Sequence, residues 1–476
     1  MTTEVEAGSK KVRKALGLSL LNTVVGRLGT FLTGIVLARL LAPEDFGMYA
    51  VALVALTAML SLNELGVSIA IVRWPGDLRR IVPTVTTISV FFSALLYVAC
   101  CVTAPVFSAA LGAPEATGVV RLLCVTVIID GITAAAVQFA NREFRQGSRL
   151  VVDTINLVLT TAVTVGMAVT GHGAWSLAVG QLTGNVLSGV MLCYLVRMWP
   201  RFGFDRSLAK ELLVFGLPLA GGSLLVFAML NVHYVVTGRM LGAIALGFFL
   251  QAFNLSSWPV NMFSMVVRRV SLPAFAALQG DREAREAAFA RFSSLLAVFT
   301  LPVCVLLGLL ALPLVSSLYS SKWSASAAAL QWLAVLAAVR VACELAYDYL
   351  VALGRSRTTM WLQGGWLAAL AITLPIGASL DGIQGVAIAH AAVALFVALP
   401  AFGIAVARTG IHLASLLRPL IRPALGSLAM VAVLFLLRVF LPSAPAPGLL
   451  VLGGILSAVV YVPFIWPLRH DIRHLG

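Results

Sequence analysis

Stretches of roughly 20 apolar residues, the length an α-helix needs to cross a bilayer, recur from Leu16 to Leu468. The short connections between them alternate in charge. One set is crowded with Arg and Lys, and the next holds almost none. This pattern leaves few folds open. Inside a bilayer every backbone polar group must be satisfied within the protein, so a spanning segment of this length is a helix. The alternation then sets orientation, because basic connections stay on the cytoplasmic side.

Composition agrees. Of 476 residues, 60% are hydrophobic and only 11% charged, against about 25% charged in an ordinary soluble domain. The net charge of +14 sits in short connections beside apolar spans. A nucleic-acid binder would place it on a basic stripe or a recognisable motif, so no nucleic-acid partner is expected. The abundance of Arg and Ala fits a GC-rich bacterial genome.

The hydropathy pattern predicts helices over 16–41, 46–72, 82–110, 117–140, 149–170, 173–197, 211–237, 242–267, 291–318, 325–353, 358–380, 383–407, 420–441 and 448–468. The expected class is all-α, a polytopic membrane protein of about 14 transmembrane helices. The even-numbered connections hold Arg73, Arg79 and Arg80; Arg142, Arg145 and Arg149; Arg197, Arg201, Arg206 and Lys210; Arg268, Arg269, Arg282, Arg285 and Arg291; Arg355 and Arg357; and Arg408 and Arg418. The odd-numbered ones hold little beyond Arg39, Arg239 and Lys322. Both termini are basic. The predicted placement is a bacterial cytoplasmic (inner) membrane with both termini cytoplasmic. The basic start resembles a signal peptide, but its apolar run is too long and no small-x-small cleavage site ends it. The inner segment Ser271–Arg285 is long enough for a short surface helix.

An internal repeat runs through the first twelve predicted helices. Ala38-Arg39-Leu40-Leu41 through Phe46-Gly47 returns as Gly238-Arg239-Met240-Leu241 through Leu246-Gly247, an offset of 200. Gly76-Asp77 returns as Gly280-Asp281, and Gly173 through Ala178 as Gly382 through Ala387, at offsets of 204 and 209. The expected organisation is a basic N-terminus (1–15), two pseudo-symmetric six-helix lobes (16–200 and 201–410), and an extra helix pair with the C-terminus (411–476). Two parallel lobes suit a transporter with a central cavity.

Charges within spans are the functional candidates, since an Arg or Asp at mid-membrane costs about 2.5–3.5 kcal/mol on insertion scales and so faces a cavity or a partner. Arg27 lies near the middle of the first predicted helix and Arg340 near the middle of the tenth, one in each lobe; Arg121 lies nearer the outer end of the fourth. The acids are Glu64, Asp130, Asp153, Glu344 and Asp348. Arg340, Glu344 and Asp348 are spaced i, i+4, i+8 and share one helical face. They read either as a gated ion pair or proton site, or as a structural pair that neutralises its own burial. Arg27 reads as an anchor for a phosphate, or as the partner of Glu64. Pro218 with Gly221 and Gly222, and Trp258 with Pro259, interrupt their helices and are candidate hinges, or simply tolerated membrane residues. His233 and His390 read as packed polar residues.

No metal site is expected. The six cysteines, Cys100, Cys101, Cys124, Cys193, Cys304 and Cys343, form no Cys-x-x-Cys pair and have no His at ligand spacing. No Gly-x-x-x-x-Gly-Lys-Ser/Thr loop is present, so the chain is not expected to hydrolyse ATP. No connection is long enough to hold a ligase or polymerase site, so it is not expected to be an enzyme, and no cofactor is expected.

Several segments carry a family resemblance. Leu37-Ala38-Arg39-Leu40-Leu41-Ala42-Pro43-Glu44-Asp45-Phe46-Gly47-Met48-Tyr49, Leu65-Gly66 and Ile71-Val72-Arg73 resemble the opening of Wzx-type polysaccharide flippases. So do Asn141-Arg142-Glu143-Phe144-Arg145, Gly173-Ala174-Trp175-Ser176-Leu177, Gly238-Arg239-Met240-Leu241-Gly242 and Pro273 through Gln279. These belong to the multidrug/oligosaccharidyl-lipid/polysaccharide exporter superfamily. The resemblance implies two six-helix lobes with an extra pair, working by alternating access on polyprenyl-diphosphate-linked oligosaccharide. It implies cationic residues in the cavity, which here points to Arg27, Arg340 and, nearer the outer end, Arg121 for the diphosphate. Glu64, Asp130, Glu344 and Asp348 are then candidates for coupling to protons or sodium, with the membrane potential as another drive. The expected partners are the lipid-linked glycan, membrane lipids, and a polysaccharide polymerase with its chain-length machinery. The peptidoglycan-precursor relatives keep charge in the first helix where Thr33 and Gly34 stand here. A drug/cation antiporter of the same superfamily, a membrane glycosyltransferase, and a scaffold of a polysaccharide assembly complex are the alternatives.

Overall fold

A computed structural model describes residues 2–63, 68, 71, 78–143, 146–412, 414, 417–441 and 444–468. Twelve stretches among them are long and apolar enough to cross a membrane. Two of these stretches bend sharply with no intervening loop. One bends at Gly242 (φ 82°) and the other at Asp381–Gly382 (Gly382 φ 53°). Such left-handed backbone is available to Gly without a Cβ clash. Divided at the two bends, the twelve stretches match the fourteen predicted segments in order.

The first compact unit covers Met1–Gly247. It contains α1 (Thr2–Leu40), α2 (Pro43–Asn63), α3 (Leu78–Ala110), α4 (Thr117–Arg142), α5 (Gln146–Val169), α6 (Ala174–Val196) and the start of α7 (Arg206–Ala277). In this unit α4 is central, packing on α2, α3 and α6, while α1 packs on α5. Its buried stripe is built mainly of small and β-branched residues, among them Val119, Val120, Thr126, Val127, Gly131, Ala135 and Ala136. Lipid offers no hydrophobic drive between helices, so close packing of such residues is what holds them together. The sequence repeat has a structural counterpart here. A Cβ on Gly47 would collide with the carbonyl of Ala243, and one on Gly247 with the carbonyl of Pro43. Positions 43 and 47 thus cross positions 243 and 247, their repeats at the offset of 200.

The second unit covers Phe248–Gly476. It holds the rest of α7, then α8 (Arg282–Leu309), α9 (Ala311–Leu318), α10 (Ser324–Ala352), α11 (Ser356–Val393), α12 (Leu399–Ala407), α13 (Ile421–Phe440) and α14 (Ala446–Ile465). A π turn, Ala394–Ala398, joins α11 to α12. The central helix is α10, packed on α8, α11 and α12. At its end Tyr349 is fully buried among Phe275 and Phe289 in edge-to-face contacts, and its hydroxyl lies 2.9 Å from that of Thr409. The helix pair α13–α14 joins this unit through α8, where the Tyr461 hydroxyl donates to the Val298 carbonyl at 2.9 Å.

Two local expectations are revised. No separate surface helix forms over Ser271–Arg285. Residues to Ala277 continue α7, and Asp281 starts α8 by accepting from the Ala284 amide at 3.0 Å, an N-cap that satisfies a donor of the first turn. The predicted helix 291–318 is broken at Leu310 into α8 and α9. The compact units divide at 247/248, and the expected lobe boundary at 200/201 lies in the connector between α6 and α7.

Candidate functional site

The first unit contains a polar cavity of about 290 Å³ lined by Asp130 and Thr133 of α4, Arg149 and Asp153 of α5, and Asn185 and Ser188 of α6. Each carboxylate is tied to a further helix. Asn63 at the end of α2 donates to Asp130 Oδ2 at 2.8 Å, and the Ser93 hydroxyl of α3 lies 2.8 Å from Asn63 Oδ1. Asn22 of α1 donates to Asp153 Oδ2 at 2.6 Å. Arg149 Nη1 donates to Asn141 Oδ1 at 2.5 Å. A chain of amides and hydroxyls continues the network, with Asn156 Nδ2 donating to Ser188 Oγ and Thr160 Oγ1 to Asn156 Oδ1, both at 3.0 Å. Gly184 makes this possible. A Cβ there would fall on the Thr160 hydroxyl, so only Gly lets α6 come this close to α5.

The cavity sets the two carboxylates Asp130 and Asp153 against one guanidinium, Arg149, leaving one formal negative charge that a proton or a small cation can balance. Two carboxylates, the Asn185 amide, the Arg149 guanidinium and hydroxyls line one small space, and each carboxylate accepts from a neutral amide. Adding a proton to either would remove acceptor capacity facing α1 or α2. Asp153 and Asp130 therefore connect the charge state of the cavity to the hold on two other helices.

Arg27 belongs to the same unit and lies outside this cavity. The face of α1 toward α5 carries Asn22, Gly29 and Thr33, with the Thr33 hydroxyl 2.8 Å from that of Thr161. Arg27 projects from a different side and is exposed. Among the described residues no carboxylate pairs with it. Glu64, its alternative partner, lies outside the described residues. Arg121 is exposed at the α3–α4 contact, where its Nε donates to the Cys101 carbonyl at 3.1 Å. Arg27 and Arg121 have no partner in common.

In the second unit, Arg340 Nε stands 3.2 Å from Glu344 Oε1, one turn along α10. Both side chains are about three-tenths exposed, at 27% and 30%. Asp348, a further turn on, is buried. The expected shared face is present, but its three members sit at different depths. His390 of α11 is buried and stacks on Phe253; His233 is buried in the first unit. Pro218, Gly221, Gly222 and Pro259 all lie on helical backbone of α7, whose sharp bend is at Gly242.

Asn22, Asn63, Asn156, Asn185 and Ser188 were not singled out from sequence. A neutral amide inside an apolar span was the signal available, and a search confined to charged residues passes over it.

The fold defines a class. It superposes on the lipid II flippase MurJ in an inward closed conformation with a TM-score of 0.80 at 14% identity, over 96% of this chain and 99% of that one. It superposes on an inward-facing multidrug resistance MATE family transporter of the MOP superfamily with a TM-score of 0.64 at 18% identity, over 83% of this chain and 99% of that one. The protein is thus a multi-pass helical membrane protein with the fold of these transporters. A family profile described as "Polysaccharide biosynthesis protein" matches residues 36–328, more than half of the chain, and the chain belongs to that family. Among curated relatives, the succinoglycan biosynthesis transport protein ExoT of Rhizobium meliloti (strain 1021) is 28% identical over 365 residues, 76% of this chain and 73% of that protein. The lipopolysaccharide biosynthesis protein WzxC of Escherichia coli (strain K12) is 25% identical over 315 residues, 64% of this chain and 62% of WzxC.

Proposed function

We propose that this chain is a flippase that moves a polyprenyl-diphosphate-linked oligosaccharide from the inner to the outer leaflet of the bacterial cytoplasmic membrane for cell-surface polysaccharide assembly. The observation that carries the reading is the family match over residues 36–328 on a chain that superposes on MurJ over 96% of its length. The cycle is alternating access, with both termini on the cytoplasmic side. It needs no catalysis, and the proposed partners beyond the glycolipid are the polymerase and chain-length machinery.

Each cationic candidate takes a role from its surroundings. Arg27 is an exposed guanidinium on a membrane-spanning helix, and a diphosphate is an anion whose geometry matches its fork of donors. Arg340 holds Glu344 until phosphate oxygens compete for it, and its release frees a carboxylate to take a proton. Carrying about two negative charges outward against an inside-negative potential is downhill by roughly 4–5 kcal/mol at 100 mV, at about 2.3 kcal/mol per charge. Asp130 and Asp153 in their cavity offer a place for a coupling proton or sodium ion.

A drug/cation antiporter is the second reading, favoured by that two-carboxylate cavity and the likeness to MATE transporters. One experiment separates the two: depletion in the host, with mass spectrometry of polyprenyl-linked glycans and a leaflet-selective probe. Glycolipid accumulating on the cytoplasmic face is the expected result. Unchanged glycolipid with new sensitivity to cationic drugs moves the reading to the antiporter.

A further inference from the structure

The connector between α6 and α7 is pinned flat on the first turns of α3. Helix α6 stops at Val196 because Arg197 turns left-handed (φ 57°), and the chain runs unhelical to Asp205. The Gly203 carbonyl accepts from the Thr87 hydroxyl at 2.9 Å, and the Asp205 amide donates to Thr84 Oγ1 at 3.1 Å. A Cβ on Gly203 would press on Pro83. The Asp205 carboxylate caps α7, accepting from the Ser207 amide at 2.9 Å, and lies 3.9 Å from Arg80 Nη2.

Gly203 and Asp205 therefore face α3, and the residues beside them, Phe202 and Phe204, face out. Those neighbours are aromatic, Phe202 at 67% and Phe204 at 66% exposed, and Trp199, earlier in the strap, is 53% exposed. Between and beside them stand Arg197, Arg201, Arg206 and Lys210, all exposed. Neither Arg201 nor Arg206 has a carboxylate partner among the described residues, and Asp205 is already committed to the α7 cap and Arg80. Large apolar side chains held outward beside guanidinium groups that have no carboxylate partner among the described residues match the headgroup–acyl boundary of a bilayer carrying negative lipid.

We propose that the strap 197–206 is a binding site for anionic phospholipid of the surrounding bilayer. Phe202 and Phe204 enter the acyl boundary, and Arg201 and Arg206 hold the headgroup phosphate. The inference does not depend on what the protein transports.

The test uses the full-length protein in mixed micelles doped with brominated phosphatidylglycerol or brominated phosphatidylcholine. The readout is quenching of Trp199, taken as the difference between wild type and Trp199→Phe. Brominated phosphatidylglycerol is expected to quench Trp199 at a much lower mole fraction than phosphatidylcholine. Arg201→Gln with Arg206→Gln is expected to weaken the phosphatidylglycerol response roughly 25-fold, at about fivefold per basic residue, down to the phosphatidylcholine curve. The Phe202→Ser, Phe204→Ser variant is expected to lower quenching by both lipids. Inorganic phosphate at millimolar concentration should displace neither. Equal wild-type curves, a double-Arg variant that keeps the preference, or displacement by phosphate would each overturn the proposal. The last would make the strap a site for free anions.

Discussion

Three residues carry the sharpest expectations. Arg27 is exposed on α1 with no carboxylate partner among the described residues, so its removal should leave the fold intact and cost function. A charge-assisted hydrogen bond contributes about 1.5–3 kcal/mol, so Arg27→Ala should slow glycolipid flipping by about ten- to a hundredfold while thermal unfolding in detergent stays unchanged. Flipping at the wild-type rate would remove the anchor role. Asp153→Asn keeps an acceptor for Asn22 but deletes the charge. The protein should stay folded, and the pH dependence of transport in proteoliposomes should flatten if the cavity holds the coupling ion. Asp205 tests the strap. Its carboxyl is held below the usual carboxylate range, chiefly by the Ser207 hydroxyl and then by the Leu208 and Ser207 amides and Arg80. A lowered value favours the folded state in the ionised form. That contribution is fully present above about pH 4 and is lost as pH falls through the lowered value. An acid titration followed by Trp199 emission should show the strap loosening only below pH 4, and Asp205→Asn should abolish that transition.

Among the elements, the crossing of α2 with α7 is the least forgiving. Gly47 lies against the Ala243 backbone, which has no side chain to swing aside, so Gly47→Val should destabilise by about 1–3 kcal/mol through overpacking. Gly26 on α1 has nothing within 4 Å of its missing Cβ, and Gly26→Ala should leave the melting temperature alone. Comparing the two variants by thermal unfolding in one detergent separates a packing requirement from a general intolerance of side chains at membrane glycines. The Arg340–Glu344 pair should matter little to stability. With both side chains about three-tenths exposed, solvent screening holds such a pair to about 0.5 kcal/mol. A large fall in stability on Glu344→Gln would mean that Arg340 is far less hydrated than its exposure indicates.

For the whole molecule, the spans and their order were legible in the sequence, and the likeness to MurJ and MATE folds agrees with them. A membrane-spanning helix announces itself through local hydropathy, with no long-range information needed. The Arg27 and Arg340 candidates came from the same local logic, a costly charge in an apolar run. The cavity of Asp130 and Asp153 did not. Asp130 stood out as an intramembrane acid, but that Asn63 and Ser93 would meet it, or that Asn22 would reach Asp153 from 131 positions away, depends on how each helix is rotated about its axis. A hydropathy pattern says which residues of a helix are apolar, not which neighbouring helix each face will meet.

The sequence by itself determined that this chain crosses a membrane many times and which connections are basic, because both follow from the transfer energies of residues taken locally. It also marked the glycines at 47 and 247 as repeats of one another. Only the tertiary structure decided that these two glycines meet, that two carboxylates share one cavity, and that the strap after α6 turns its aromatic residues outward. Those facts rest on contacts between distant helices. In lipid such contacts are chosen by steric fit and a few polar pairs, and no single stretch of sequence specifies either.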